Sequence, residues 1–164
     1  MIAAAKTRNG NMSRKILVAI ELDDKSANDV LKKATSVASK NDVLEVLHVL
    51  HPNTVHYSPD PTMTGKMYEN TFQVAMENTG RRLRSLCMQH GISAGNCHVR
   101  YGRIAYEVHQ LLEEEGFDTL MIGSHGWSGW HRLLGSQANS ILHGIAVDTW
   151  VFKINEEKTD NAND

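Results

Sequence analysis

The densest set of residues able to hold a charged ligand lies in the run Gly123-Ser124-His125-Gly126-Trp127-Ser128-Gly129-Trp130-His131-Arg132-Leu133-Leu134-Gly135-Ser136. Glycine lacks the side chain that keeps other backbones away from an anion, so its N–H groups can reach phosphate oxygens directly. A helix beginning near Ser136 adds unsatisfied N–H groups and the positive end of its dipole, and the Ser136 hydroxyl is a further donor. The chemistry this supports is binding of a phosphate chain, held mostly by backbone between the two glycine clusters. The same residues also satisfy a plainer role, with the glycines in tight turns and Ser136 as a helix N-cap. Trp127 and Trp130, on either side of Gly129, read first as rings packed on neighbouring structure or on a dimer partner. Their second reading is a stacking platform or cover for a nucleotide. His125 and His131 read first as surface histidines with no special role, and second as groups that reach a phosphate.

Other chemistry finds little support. His48 and His51 flank Val49-Leu50, but structural zinc needs four good ligands and no cysteine pair or acidic cluster accompanies them, so no metal site is assigned. Glu113-Glu114-Glu115 reads as a solvated helix end. No lysine follows the glycine loop as in a P-loop, and no motif places a serine–histidine–acid set. No catalytic residue is assigned. Two cysteines, Cys87 and Cys97, are too few for a disulfide framework and read as small, inert apolar residues in a reducing compartment.

The elements that must position the glycine run follow from hydrophobic spacing. Lys15-Ile16-Leu17-Val18-Ala19-Ile20 suits a strand buried on both faces. Asp23, Asp24 and Ser26 offer N-cap side chains for a helix whose face is Ala27, Val30, Leu31, Ala34, Val37 and Ala38. Val43 to Val49 is a second strand, and the crossover between the two dictates parallel pairing. His51 to Gly65 holds all three prolines, Pro52, Pro59 and Pro61, and is a loop. Phe72, Ala75, Met76, Thr79, Leu83, Leu86 and Cys87 then form one helix face opposite Arg81, Arg82 and Arg84, with Gly91 as the C-terminal cap. Asn96 to Arg100 is a third strand. Gly102 turns the chain into a helix with Ile104, Val108, Leu111 and Leu112, ended by Gly116. Asp118, a turn residue, opens a fourth strand that runs to Ile122. Ala138, Ile141, Leu142 and Ile145 mark a last short helix, and Thr149 to Ile154 is the fifth strand. The alternation predicts an α/β, Rossmann-like three-layer sandwich with a five-stranded parallel sheet and about four helices.

The 164 residues leave room for one domain over 14–154, a flexible extension over 1–13 and a polar tail over 155–164. Met12 immediately precedes the first patterned segment and is a candidate start. A formal net charge of −2 gives no electrostatic reason to expect nucleic acid or an anionic membrane as partner. No stretch has the apolar length of a membrane span, and the first residues lack the apolar core of a signal peptide. The expected location is the cytoplasm.

The segments Lys-Ile-Leu-Val-Ala-Ile, Leu-Glu-Val-Leu-His-Val, Asp-Thr-Leu-Met-Ile-Gly-Ser-His-Gly and Leu-Leu-Gly-Ser-Gln-Ala-Asn-Ser-Ile-Leu-His occur in an order and spacing that resembles the universal stress protein family over about Arg14 to Ile154. The resemblance implies a five-stranded domain that often dimerises through its last strand, and in many members ATP binding with the loop after the fourth strand around the phosphates. By position it implies that Gly123, Gly126, Gly135 and Ser136 are the phosphate-binding signature, with the backbone N–H of Gln137 beside them. It places Glu21 near the nucleoside, Val49 against adenine and Ile122 flanking the base. Two positions depart from the family pattern: Trp127 to Leu134 is one residue shorter than the usual ATP-binding loop, and Glu21 stands where an aspartate is usual.

The function expected is therefore a homodimeric stress-response regulator that binds ATP, with Mg2+ accompanying the nucleotide, and acts by occupancy, not turnover. The dimer is expected through Thr149–Ile154, where Trp150 and Phe152 alternate with Val151 on an edge that needs covering. A protein partner that reads the signal is expected but not identified. Two alternatives stand: an interaction module of the same fold that does not bind ATP, and an ATP hydrolase, for which no base or charge clamp is evident.

Overall fold

The computed structural model describes residues 13–52, 65–125 and 136–154. Five strands, β1 (Lys15–Ala19), β2 (Val43–Leu50), β3 (Cys97–Tyr101), β4 (Thr119–His125) and β5 (Asp148–Ile154), form one parallel sheet in the order β3-β2-β1-β4-β5. Helices α1 (Asp24–Val37), α2 (Gly65–Gln89), α3 (Ile104–Glu115) and α4 (Ser136–Leu142) connect them, with one 3₁₀ turn at Ala94–Asn96 before β3. The fold is the α/β architecture expected from the alternation. The extension up to residue 12, most of the proline-bearing loop, the run 126–135 and the tail from residue 155 lie outside the described residues.

The strand alternation divides the core in two. Ile16, Val18 and Ile20 face α1 and α2, where they meet Ala27, Val30, Leu31, Ala34, Leu83 and Cys87. Leu17 faces α3 and α4, where it meets Val108, Leu111, Leu112, Ala138 and Ile141. Each fully buried aliphatic side chain of this kind contributes about 1.5–3 kcal/mol relative to exposure. The chain winds outward from β1 to β3 with α1 and α2 on one face. It then returns through α3 on the other face to β4 and β5, so the winding reverses beside β1.

Local details explain the element ends. Asp23 caps α1, its carboxylate accepting from the N–H groups of Lys25 and Ser26. The helix stops at Val37, which is 36% exposed, and Ala38 is already extended, so the helical part of the apolar face ends at Ala34 while Ala38 still packs against the core. At the end of α2 the Ile92 N–H donates to Cys87 C=O at 2.9 Å and the Gly91 N–H to Met88 C=O at 3.1 Å, with Gly91 at φ +74°. That is a Schellman cap, and it requires the left-handed conformation a glycine adopts freely.

The second helix begins at Gly65, where the expected proline-bearing loop ends. One expectation needs correction: the fourth strand does not end at Ile122. It continues to His125 because β5 supplies partners for the extra residues: Gly123 opposite Phe152, Ser124 opposite Lys153 and His125 opposite Ile154.

The opposite end of the sheet is tied by carboxylates. Asp42 accepts from the Arg14 backbone N–H at 2.9 Å, from Arg14 Nη2 at 2.6 Å and from the Ser39 N–H at 2.8 Å. Asp118 accepts from the Lys15 N–H at 2.9 Å. The residue read as a turn former thus also secures the start of β1.

Candidate functional site

The reversal beside β1 leaves a crevice at the carboxyl ends of the strands, the place where open α/β sheets bind ligands. A cavity of about 500 Å³ occupies it. Its floor is Ala19 and Ile20 from β1 and the residue after it, Leu47 and Val49 from β2, and Ile122 from β4. Its walls come from the first turns of three helices: Ser26 and Val30 of α1, Ile104 and Val108 of α3, and Ala138 and Ile141 of α4. Helix N-terminal ends therefore converge on a mostly apolar chamber, a combination suited to an apolar ring system that carries an anionic group.

Four of the eight residues singled out from sequence meet at this cavity: Glu21, Val49, Ile122 and Gly123. Val49 and Ile122 are buried, and both belong to the core layer under α3 and α4. Glu21 is exposed at the rim. Ser136 and Gln137 open α4 and immediately precede the cavity residue Ala138, with Ile141 one turn further on. Gly126 and Gly135 lie outside the described residues, as do Trp127, Trp130 and His131.

Gly123 has a packing role that the sequence did not disclose. A Cβ placed on it would lie 2.5 Å from Ile154 Cδ1 and 2.6 Å from Val30 Cγ2. The absence of a side chain lets α1 and the end of β5 close over β4, whatever the ligand.

Polar groups at the cavity are few and specific. Ser26 and Ser124 are buried there, each at 5% exposure. His48 Nδ1 sits 3.1 Å from the Ile20 carbonyl. A carbonyl only accepts, so Nδ1 carries the proton and Nε2 is the acceptor of the neutral ring. Burial pushes the His48 imidazole below its ordinary range, outweighing the Ile20 carbonyl and the Glu21 charge that favour the cation. The cavity's carboxylates, Glu21 and Asp23, repel phosphate and suit hydroxyl or amine donors.

Sequence reasoning passed over His48, Ser26, Ile104, Val108, Ala138 and Ile141 as cavity residues. The signal was present for the helical ones, which recur on apolar faces at the N-terminal ends of helices that follow strands. Ser26 read as a cap, the role Asp23 takes instead.

The sequence profile of the universal stress protein family matches residues 12–153. Universal stress protein A homolog 1 of Coxiella burnetii is 31% identical over 133 residues, which cover 81% of this chain and 91% of that protein. Among solved structures, the hypothetical protein MJ0577 superposes with a TM-score of 0.64 at 18% identity, covering 90% of this chain and 100% of that one. A universal stress protein solved in complex with cAMP superposes with a TM-score of 0.55 at 18% identity, covering 88% of this chain and all of that one.

Proposed function

The chain belongs to the universal stress protein family, and from that premise we propose that it is a cytoplasmic, homodimeric regulator that binds an adenine nucleotide, ATP first among them, and acts by occupancy. The observation that carries this reading is the roughly 500 Å³ chamber at the carboxyl ends of β1, β2 and β4, within the size range of small-molecule sites. Val49 and Ile122 offer apolar surface for a base. Glu21 accepts from a ribose hydroxyl or an exocyclic amine. The acidic rim drives the phosphates away from Glu21 and Asp23, toward the opening of α4 at Ser136 and Gln137. Gly126 and Gly135, outside the described residues, are assigned to the phosphates from the sequence pattern. Mg2+ would travel with the phosphates and screen them. The cAMP held by one solved relative supports a cyclic or linear adenine nucleotide as the ligand class. Residues 14–154 form the binding unit in this reading, with 1–13 and 155–164 as appendages.

The test is a calorimetric titration of nucleotide-free protein with ATP and Mg2+, with AMP and with cAMP, beside a Gly126→Val variant. Micromolar binding by the parent that is lost in the variant supports the reading. One observation favours the alternative of an interaction module: Gly123 is fully accounted for by packing against Val30 and Ile154. Absence of binding by either protein would establish that alternative.

A further inference from the structure

The sequence sets Arg81, Arg82 and Arg84 together on the polar side of α2, where charged residues ordinarily do no more than face water. The fold separates them. Arg81 and Arg82 line a second cavity, of about 600 Å³, on the outer surface between α1 and α2, and Arg84 does not. Asn78, Ser85 and Gln89 share the cavity at steps of three or four residues, so the groove follows about 16 Å of α2. Asn28 supplies the α1 side, and Leu86 supplies apolar surface. The Asn28 side-chain oxygen accepts from His90 Nε2 at 2.8 Å, which ties α1 to the end of α2.

We propose that this groove is a second small-molecule site, for the phosphate monoester of a hydroxyl-rich compound, a sugar phosphate in class. Charge carries the assignment. Among the described residues, two guanidiniums and no carboxylate line the groove, whereas Glu21, Asp23 and no lysine or arginine line the cavity at the strand ends. In a chain of net charge −2 that is a local reversal of sign. Neighbouring guanidiniums repel each other, and a dianion seated between them replaces that repulsion with two attractions. Glu77 stands one turn before Arg81 on α2, yet Arg81 makes no ion pair among the described residues. A guanidinium presents a planar fork that matches two phosphate oxygens. The other side chains select the rest of the ligand. The amides of Asn78 and Gln89 and the Ser85 hydroxyl both donate and accept, as sugar hydroxyls do. Among the described residues only Leu86 is apolar and no aromatic ring lines the groove, so a nucleobase has little to pack on. The two cavities share no lining residue, so one ligand does not displace the other.

The experiment is a calorimetric titration of the full-length, nucleotide-free protein with glucose 6-phosphate at constant ionic strength, beside glucose and inorganic phosphate. The expected result is saturable binding of glucose 6-phosphate, weaker binding of inorganic phosphate and none of glucose. Arg81→Gln removes one guanidinium and should weaken binding roughly tenfold or more. Ser85→Glu sets a carboxylate in the groove and should abolish binding. Arg84→Gln removes the same charge from the same helix outside the groove and should leave the affinity unchanged. All three positions are exposed on α2, and circular dichroism should find each variant folded like the parent. Absence of binding by the parent would overturn the proposal, as would equal weakening by Arg81→Gln and Arg84→Gln, which marks general charge attraction. Undiminished binding in Ser85→Glu would place the ligand elsewhere, and equal affinity for inorganic phosphate would remove the sugar from the ligand class; either result also overturns it.

Discussion

Gly123 shows how one residue type can answer to two demands. Its place in a glycine-rich run suggests close approach of a phosphate, whereas its missing Cβ is what lets Val30 and Ile154 meet across β4. The two demands separate experimentally. Gly123→Ala is expected to destabilise the fold by about 1–3 kcal/mol, the usual cost of overpacking a close contact. Chemical denaturation should show Val30→Ala in the same chain restoring part of that loss, because it removes the atom the new methyl strikes. Loss of nucleotide affinity at unchanged stability would instead assign Gly123 to the ligand. His48 is the converse case: a residue that reads as one of nine scattered histidines takes a fixed tautomer at the cavity through the Ile20 carbonyl.

At the level of elements, the joint between α1 and β2 is held by a carboxylate. The Asp42 side chain is 1% exposed and accepts from the Arg14 guanidinium, the Arg14 backbone and the Ser39 backbone. The Arg14 hydrogen bonds hold the Asp42 carboxyl well below the usual carboxylate range, against the opposing effect of burial. Because the folded value lies below the unfolded one of about 3.9, the unfolded chain takes up the proton first as pH falls. The contribution is therefore complete above that unfolded value and is lost progressively below it. Asp42→Asn is expected to cost about 2 kcal/mol at neutral pH. Thermal unfolding should show the parent's advantage over this variant shrinking as pH drops from about 5 to about 3. An advantage that stays constant across that interval would show that Asp42 does not titrate as its surroundings require.

For the molecule as a whole, the open question of assembly sits at the β5 edge. Trp150 and Val151 are 39% and 41% exposed, on opposite faces of the last strand, and the Arg14 guanidinium lies 5.9 Å from the Trp150 ring centroid. In the proposed dimer two such edges pair and their hydrogen-bonding groups are satisfied. Val151→Glu would then set like charges close together across the new pairing. Light scattering should find the dissociation constant raised by roughly tenfold or more, with the monomer's circular dichroism unchanged. An unaltered molar mass would move the interface elsewhere.

The sequence by itself determined the five strands, the parallel sheet and the family, because buried parallel strands are short apolar runs and amphipathic helices repeat at 3.6 residues. These are local signals, readable in Lys15–Ala19 or in Val108, Leu111 and Leu112 without knowing what they touch. It also singled out Glu21, Val49, Ile122 and Gly123, from resemblance and strand-end position. Only the tertiary structure decided that these four share one chamber with His48 and Ser26, and that β4 runs on to His125. Each of those facts depends on which distant segments lie side by side. A strand's length is set by its neighbours' hydrogen bonds, and a contact between side chains by how two elements pack, neither of which a single stretch of chain encodes.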